Sequence, residues 1–281
     1  MKGLPRVFNE ILGRYIDVPE KPQRIISFSP AITESLFMLG MGDSVAAVSA
    51  FCVRPEEAKR KRKIGSYNTV REDLLDSLSP DLIFTITGYQ RDFALKLSER
   101  YCVYPIELPV SVAGILDLIV KVGLVLGKEG EARRIVGELL GKLTSAPKSP
   151  KNVSVYIEID FGEPVSFGAI SYITDAIEFL GCTNIYGSIR SEWLRPDFEY
   201  VKRREPDVFI YEPKMFSEFS YSDLLSLLEK RSFSSLKFAK AGNFFMTPRP
   251  YDFLAHHGPS FILEAVPWLS KVLNEAGTRL A

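Results

Sequence analysis

His256 and His257 are the only imidazoles in the 281-residue chain, and they are adjacent. Neighbouring positions on a helix do not face each other, so the pair is poorly placed to chelate one metal ion. It is better suited to hydrogen bonding at the start of a helix. Just upstream, Arg249 offers a planar guanidinium that fits a carboxylate or phosphate, and Asp252 adds an acid. Both histidines come late in the chain, which gives a Ser-His-Asp arrangement little support. The sequence also lacks a G-x-S-x-G elbow, a phosphate-cradling glycine loop, an H-E-x-x-H pair and a Cys/His zinc set. Cys52, Cys102 and Cys182 are odd in number and far apart, so neither a disulfide framework nor a Cys-x-x-Cys redox pair is expected. This inventory predicts a protein that binds rather than one that turns over a substrate, with no resident metal or cofactor.

Aromatic residues form a second group. Phe51 follows the apolar run Val45–Val48, Tyr67 lies in Gly65-Ser-Tyr-Asn68, Tyr89 follows Thr87-Gly88, and Trp193 sits in the polar loop Arg190-Ser-Glu-Trp-Leu-Arg195. Open α/β sheets bind ligands beyond the carboxyl ends of their strands, where the first three of these lie. Tyr211-Glu212-Pro213 also ends a strand-like run; it could reach a ligand cleft and reads equally well as a turn. Lys59-Arg-Lys-Arg-Lys63 reads as a solvated basic face after a short helix.

The elements that must carry these side chains follow an alternating plan. A polar hairpin is predicted over residues 6–18 around Gly13, followed by a β-rich run at Arg24–Phe28 and a helix over Thr33–Leu39. Val45–Val48, Leu82–Thr85 and Val103–Ile106 read as short buried strands, with Asp73–Leu78 and Arg91–Arg100 helical between them. That alternation predicts a parallel sheet covered by helices. Ile115, Leu118, Ile119, Val122, Val125 and Leu126 then mark one face of a helix. Ala132, Ile135, Val136, Leu139, Leu140 and Leu143 mark the next, over about 129–145. After the linker-like Ser145-Ala-Pro-Lys-Ser-Pro150 a second series begins. Strands are expected at Val153–Ile159, Val208–Tyr211 and Phe244–Met246, and helices at Ile173–Leu180, Leu224–Glu229 and Ser260–Asn274.

The two series share a pattern. Asp73 stands seven residues before Pro80-Asp81, and Glu199 stands seven before Pro206-Asp207, with an apolar strand after each pair. Ala31-Ile-Thr-Glu-Ser-Leu-Phe-Met-Leu-Gly40 likewise resembles Ser171-Tyr-Ile-Thr-Asp-Ala-Ile-Glu-Phe-Leu-Gly181. Pro-Asp is also common punctuation between helix and strand. Two elements recurring in order nevertheless imply two copies of one α/β plan, divided as 1–127, a helix within 128–148, and 149–281.

Composition sets the outer bounds. The chain is 46% hydrophobic and 25% charged, and its 35 Lys and Arg balance 35 Asp and Glu. A neutral chain lacks the cationic excess of a general nucleic-acid binder. The most apolar stretch, Val112–Gly127, contains Asp117 and Lys121 and does not read as a membrane span. The first ten residues show no apolar h-region of the kind that marks a secretory leader.

Taken together, these residues resemble the helical-backbone substrate-binding proteins of ABC importers, which carry cobalamin, ferric siderophores or haem. The resemblance runs over about residues 8–275. It rests on Gly13-Arg14 with Pro19-Glu-Lys-Pro-Gln-Arg-Ile-Ile-Ser27, on Ser29-Pro30 with Thr33-Glu34 and Leu39-Gly40, and on Phe233-Ser-Ser-Leu-Lys237 followed by Ala241-Gly-Asn-Phe-Phe-Met246, which resemble the family's penultimate helix and last strand. It implies two rigid α/β lobes tied by the long helix, with a ligand cleft between them. It further implies that Asp73 and Glu199 dock the protein on arginines of a permease. Phe51, Tyr67 and Trp193 fall where cobalamin binders place ring-contacting aromatics. Asp252 and His256 match ligand-contacting positions, the second often Arg in the family, and Arg54 stands where an aromatic is usual. A corrinoid or an iron chelate is the expected ligand, the protein a monomer, and its location extracytoplasmic. The unmarked N-terminus leaves a cytoplasmic tetrapyrrole or metal carrier as the alternative. A chelatase-like enzyme using His256, Asp252 and Glu264 is the competing reading from another class.

Overall fold

The computed structural model describes residues 5–149, 151–248 and 252–280. It divides into two compact units. One comprises Met1–Pro109, Ala113–Gly141 and His257–Pro259; the other comprises Val110–Val112, Lys142–His256 and Ser260–Ala281.

The first unit opens with an antiparallel hairpin of β1 (Arg6–Asn9) and β2 (Arg14–Asp17), closed at Gly13 with φ 62°. There follow β3 (Ile25–Ser27), α1 (Pro30–Met38), β4 (Val45–Ser49), α2 (Glu56–Lys59), β5 (Arg62–Gly65), α3 (Glu72–Leu78), β6 (Leu82–Ile86), α4 (Arg91–Leu97) and β7 (Val103–Ile106). The strands form one wholly parallel sheet in the order β5-β4-β3-β6-β7. Central β3 and β6 are buried along their whole length, as a parallel strand covered on both faces must be. Chain order reverses about β3, which places the topological switch of the sheet at the carboxyl ends of β3 and β6.

Two helices follow, α5 (Val112–Val125) and α6 (Glu129–Thr144). Every apolar position expected on the inward face of α5 is buried. On α6 the buried stripe is narrower than expected: Ala132, Ile135, Leu139 and Leu143 are buried, whereas Leu140 is 46% exposed. Those four residues recur at steps of three and four, so the core contact is a single seam and Leu140 falls outside it.

The second unit contains β8 (Ser154–Asp160), β9 (Pro164–Phe167), α7 (Tyr172–Phe179), β10 (Thr183–Asn184), β11 (Trp193–Leu194), α8 (Phe198–Arg204), β12 (Val208–Glu212), α9 (Tyr221–Lys230), α10 (Lys237–Lys240), β13 (Phe244–Met246) and α11 (Val266–Arg279), the last preceded by a π-turn at Phe261–Ala265. Its sheet is mixed. Strands β8, β12 and β13 run parallel, β9 turns back against β8, and β11 pairs antiparallel with β9. Three local expectations change. Arg62–Gly65 is an edge strand rather than the end of a solvated basic face. The β9 and β11 arm had no counterpart in the predicted series. Phe233–Leu236, matched above to a helix, precedes α10 rather than forming part of it.

The repeat seen in the sequence has a hydrogen-bonding basis. Each helix of the repeated pair ends on a non-glycine residue in the left-handed region, Ser79 (φ 45°) after α3 and Glu205 (φ 44°) after α8. Each turn then presents its Pro-Asp pair to the start of the neighbouring strand. Asp81 accepts hydrogen bonds from the backbone N–H groups of Gln23 and Arg24, at 2.9 and 3.0 Å, and its own N–H donates to Arg24 O. Asp207 accepts from Ser154 N and Ser154 Oγ, at 2.9 and 2.7 Å, and its N–H donates to Ser154 O. The first helices match too. Ser29 caps α1 and Ser171 caps α7, and the glycines that follow, Gly40 and Gly181, take φ 74° and 83°.

Candidate functional site

In the first unit the candidate side chains lie beyond the carboxyl ends of three strands. Phe51, two residues past β4, meets Tyr67 edge to face with ring centroids 6.4 Å apart, and both are half-buried. Contacts of the residue next to Phe51 hold the backbone that carries it. Cys52 is fully buried, with Sγ 3.2 Å from Ser49 Oγ, and burial pushes its thiol pKa up. Lys63 on β5 donates to Cys52 O at 2.8 Å and to Ala58 O at 3.2 Å. This lysine was expected on a solvated face. It is half-buried instead, with burial drawing its pKa down. Gly65 leaves no room for a side chain, because a Cβ there would lie 1.9 Å from Thr69 O. The tight turn at Tyr67 depends on that approach.

Tyr89 lies in the 3-10 turn after β6; its side chain is outside the described residues. The next residue, Gln90, is fully buried and ties the switch point together. Its Oε1 accepts from Ile86 N and its Nε2 donates to Phe28 O. Gln90 belongs to no motif, and Lys63 was read only as the end of the solvated basic run.

In the second unit Trp193 is 43% exposed on β11, opposite Phe167. The loop before it is laced to residues 168–170 by Gly168 N to Glu192 O, Ala169 N to Ile189 O and Ile170 N to Ser191 O. Gly168 permits this, because a Cβ would meet Ile189 O and Ser191 O within 2.5 Å. Two further exposed aromatics follow the parallel strands: Phe161 (56%) directly after β8, and Phe216 (61%) four residues after β12. Their loops are neighbours, with the Lys214 ammonium 3.5 Å from where a Gly162 Cβ would stand. Arg195 pairs with Glu163 in the same region. Phe161 and Phe216 were not foreseen, although their position after strands was the signal used for Phe51.

Arg249 lies outside the described residues. Asp252 is half-buried, and His256 and His257 are buried. Between them, residues 253–255 turn their backbone N–H groups onto Glu212 at the end of β12. Among the described residues no three His, Cys, Asp or Glu side chains group to hold a metal ion.

Asp73 and Glu199 both stand in the first turn of their helices, where the positive helix end favours a carboxylate. Both are exposed. Glu199 pairs with Lys202 at 2.8 Å, and Asp73 pairs with Arg71 at 3.5 Å.

A family model described as "Periplasmic binding protein" matches residues 25–251. The chain belongs to that family. A vitamin B12-binding protein of Pectobacterium carotovorum is 24% identical over 195 residues, covering 67% of this chain and 71% of that protein. An uncharacterized ABC transporter substrate-binding lipoprotein of Bacillus subtilis is 22% identical over 217 residues, covering 73% and 68%. The solved structure of a periplasmic heme-binding protein from Roseiflexus sp. RS-1, in apo form, aligns with TM-score 0.77 at 19% identity, covering 91% of this chain and 99% of that one. The α/β fold expected from the sequence is therefore that of the helical-backbone binding proteins. Among the described residues no helix is long and apolar enough to cross a membrane.

Proposed function

We propose that this binding protein captures a corrinoid between its two units and delivers it to the permease of an ABC importer. The observation that carries the ligand class is the Phe51–Tyr67 aromatic pair at adjacent strand ends, with the buried Cys52 and Lys63 contacts fixing the loop beneath it. Flat rings on a rigid backbone give a macrocycle stacking area at little entropic cost. Trp193, Tyr89, Arg249, Asp252 and His256 complete the proposed contacts. The exposed first-turn acids Asp73 and Glu199 are the proposed docking points, since a carboxylate offers arginine a bidentate partner. In this reading the protein works as an extracytoplasmic monomer, and α6 links the two units.

The test is titration with cyanocobalamin, read by inner-filter-corrected tryptophan quenching, with hemin and a ferric siderophore as parallel arms. Trp268 remains as an internal reference in Trp193→Ala. Saturable 1:1 quenching by cyanocobalamin that Trp193→Ala abolishes, with the circular dichroism unchanged, supports the corrinoid reading. Saturation by hemin or the siderophore alone replaces the ligand but keeps the carrier role.

A further inference from the structure

Glu212 is the last residue of β12, its side chain almost wholly buried and followed by Pro213. One carboxylate oxygen accepts from Phe253 N and Ala255 N, each at 3.2 Å, and the other accepts from Leu254 N at 2.5 Å. Three consecutive backbone N–H groups thus converge on one carboxylate, the arrangement of a backbone anion nest. Nearby contacts hold the same stretch from other sides. Tyr172 Oη donates to Leu254 O at 2.8 Å, and the Phe253 ring stands edge-on to Trp268 at 5.6 Å. The stretch joins Asp252 to His256, the two residues assigned above to the ligand.

We propose that Glu212 is a positioning residue for the ligand-facing segment 252–256, holding Asp252 and His256 in place when ionised and slackening them when protonated. The proposal rests on the reading that this segment meets the ligand. Its chemistry is one of acceptor capacity. An ionised carboxylate accepts at both oxygens, whereas a carboxylic acid uses one oxygen as a donor and cannot serve all three N–H groups equally. Burial pushes the Glu212 carboxyl up to about 7, against the hydrogen bonds from Leu254, Ala255 and Phe253, and the negative charge of Asp252 adds to the rise. His256 and His257 follow on the same segment, so the experiment must separate their protonation from that of Glu212.

Glu212→Gln makes that separation, because it removes the charge and leaves both histidines. Amide hydrogen exchange on the ligand-free protein at pH 8 should show residues 253–255 exchanging about tenfold faster in Glu212→Gln, as expected for the loss of one hydrogen bond to a charged group. Wild-type protein, corrected for the intrinsic pH dependence of exchange, should lose protection at the same three amides between pH 8 and 5.5. With cyanocobalamin or hemin as probe, wild type should bind about tenfold tighter than Glu212→Gln at pH 8, and the two should converge by pH 5.5. Equal exchange at 253–255 in both proteins at pH 8 overturns the proposal, as do affinity profiles that stay parallel across the pH range. If neither probe binds wild type at any pH, the ligand reading fails, while the exchange measurement still decides the clamp. If Glu212→Gln does not fold, the pH series of exchange repeated on ligand-free His256→Gln and His257→Gln makes the separation: a transition at 253–255 that persists in both supports the carboxylate, and one that disappears in either overturns the proposal.

Discussion

The two α/β units join helix to strand by the same device and set it at different depths. In the first unit Asp81 receives two backbone N–H groups near the surface. In the second, Asp207 is mostly covered, receives both the N–H and the hydroxyl of Ser154, and pairs with Lys237. The cores differ in parallel. Around β3 and β6 the packing is largely aliphatic, with Ile26, Ile64, Leu75, Ile83 and Val103 about Phe28. Around β12 it is aromatic: Tyr156, Tyr186, Phe209, Tyr211, Phe233 and Phe238 share one cluster, and Tyr156 stacks on Phe209 at 5.1 Å. A common backbone plan therefore does not fix how the interior is filled. The second unit uses larger side chains, and with them polar tips that need partners. Tyr156 Oη donates to Glu158, which Arg231 neutralises at 2.5 Å.

The sharpest way to break this comparison is to empty each core. Phe233→Ala should cost about 4 kcal/mol and Leu75→Ala about 3 kcal/mol in urea unfolding, since both side chains are fully buried. Equal losses at the two sites would remove the distinction between aromatic and aliphatic packing. Next come the strand-start carboxylates. Asp207→Ala should cost about 3 kcal/mol and Asp81→Ala about 1 kcal/mol, because truncation strands covered donors in one case and solvated donors in the other.

A pH series tests the same contrast within the second unit. Burial opposes the charge on Asp207, but Lys237 and Ser154 outweigh it and hold the carboxyl below its ordinary value. Its contribution to stability is present above the unfolded value near 3.8 and is lost as pH falls through the lower folded value. Glu212 has the opposite sign. Its folded value is raised from 4.5 to about 7 by burial, so for global unfolding, which returns the carboxyl to water, its contribution is greatest in acid and declines as pH rises through that window; loosening of 253–255 alone leaves the carboxyl buried, follows only the three N–H bonds that favour the ionised form, and keeps the reverse sign. Thermal melts of Asp207→Asn and Glu212→Gln against wild type should flatten opposite ends of the stability profile. The smallest structural effect belongs to the exposed acids. Asp73→Lys and Glu199→Lys should leave the unfolding midpoint and ligand affinity nearly unchanged while lowering uptake through the cognate importer; unimpaired uptake would remove both residues from docking.

Much of this architecture was legible because its signals are local. Pro80-Asp81 and Pro206-Asp207 could be read as a repeat, and the structure shows why the acid recurs: it completes the hydrogen bonds of a strand start more than fifty residues away. The buried face of α5 was written in its spacing. Strand β5 was hidden because an edge strand tolerates Arg62 and Lys63, whose charges read as solvated. The β9 and β11 arm was hidden because strands of four and two residues are fixed by backbone contacts such as those at Gly168, which no periodicity announces. Phe51 and Tyr67 could be picked out by type and position. Gln90 could not, and although Glu212 was noticed at a strand end and Lys63 in a basic run, the role of each appears only when another loop closes on it.

The left-handed residues Ser79 and Glu205 offer independent control over the two halves. Each carries a Cβ in a conformation that glycine adopts freely, so Ser79→Gly or Glu205→Gly should relieve roughly 1 kcal/mol of local strain in one unit only. Applied singly, the substitutions would pull the melting of one half away from the other. The unfolding of each unit would thus become assignable by position.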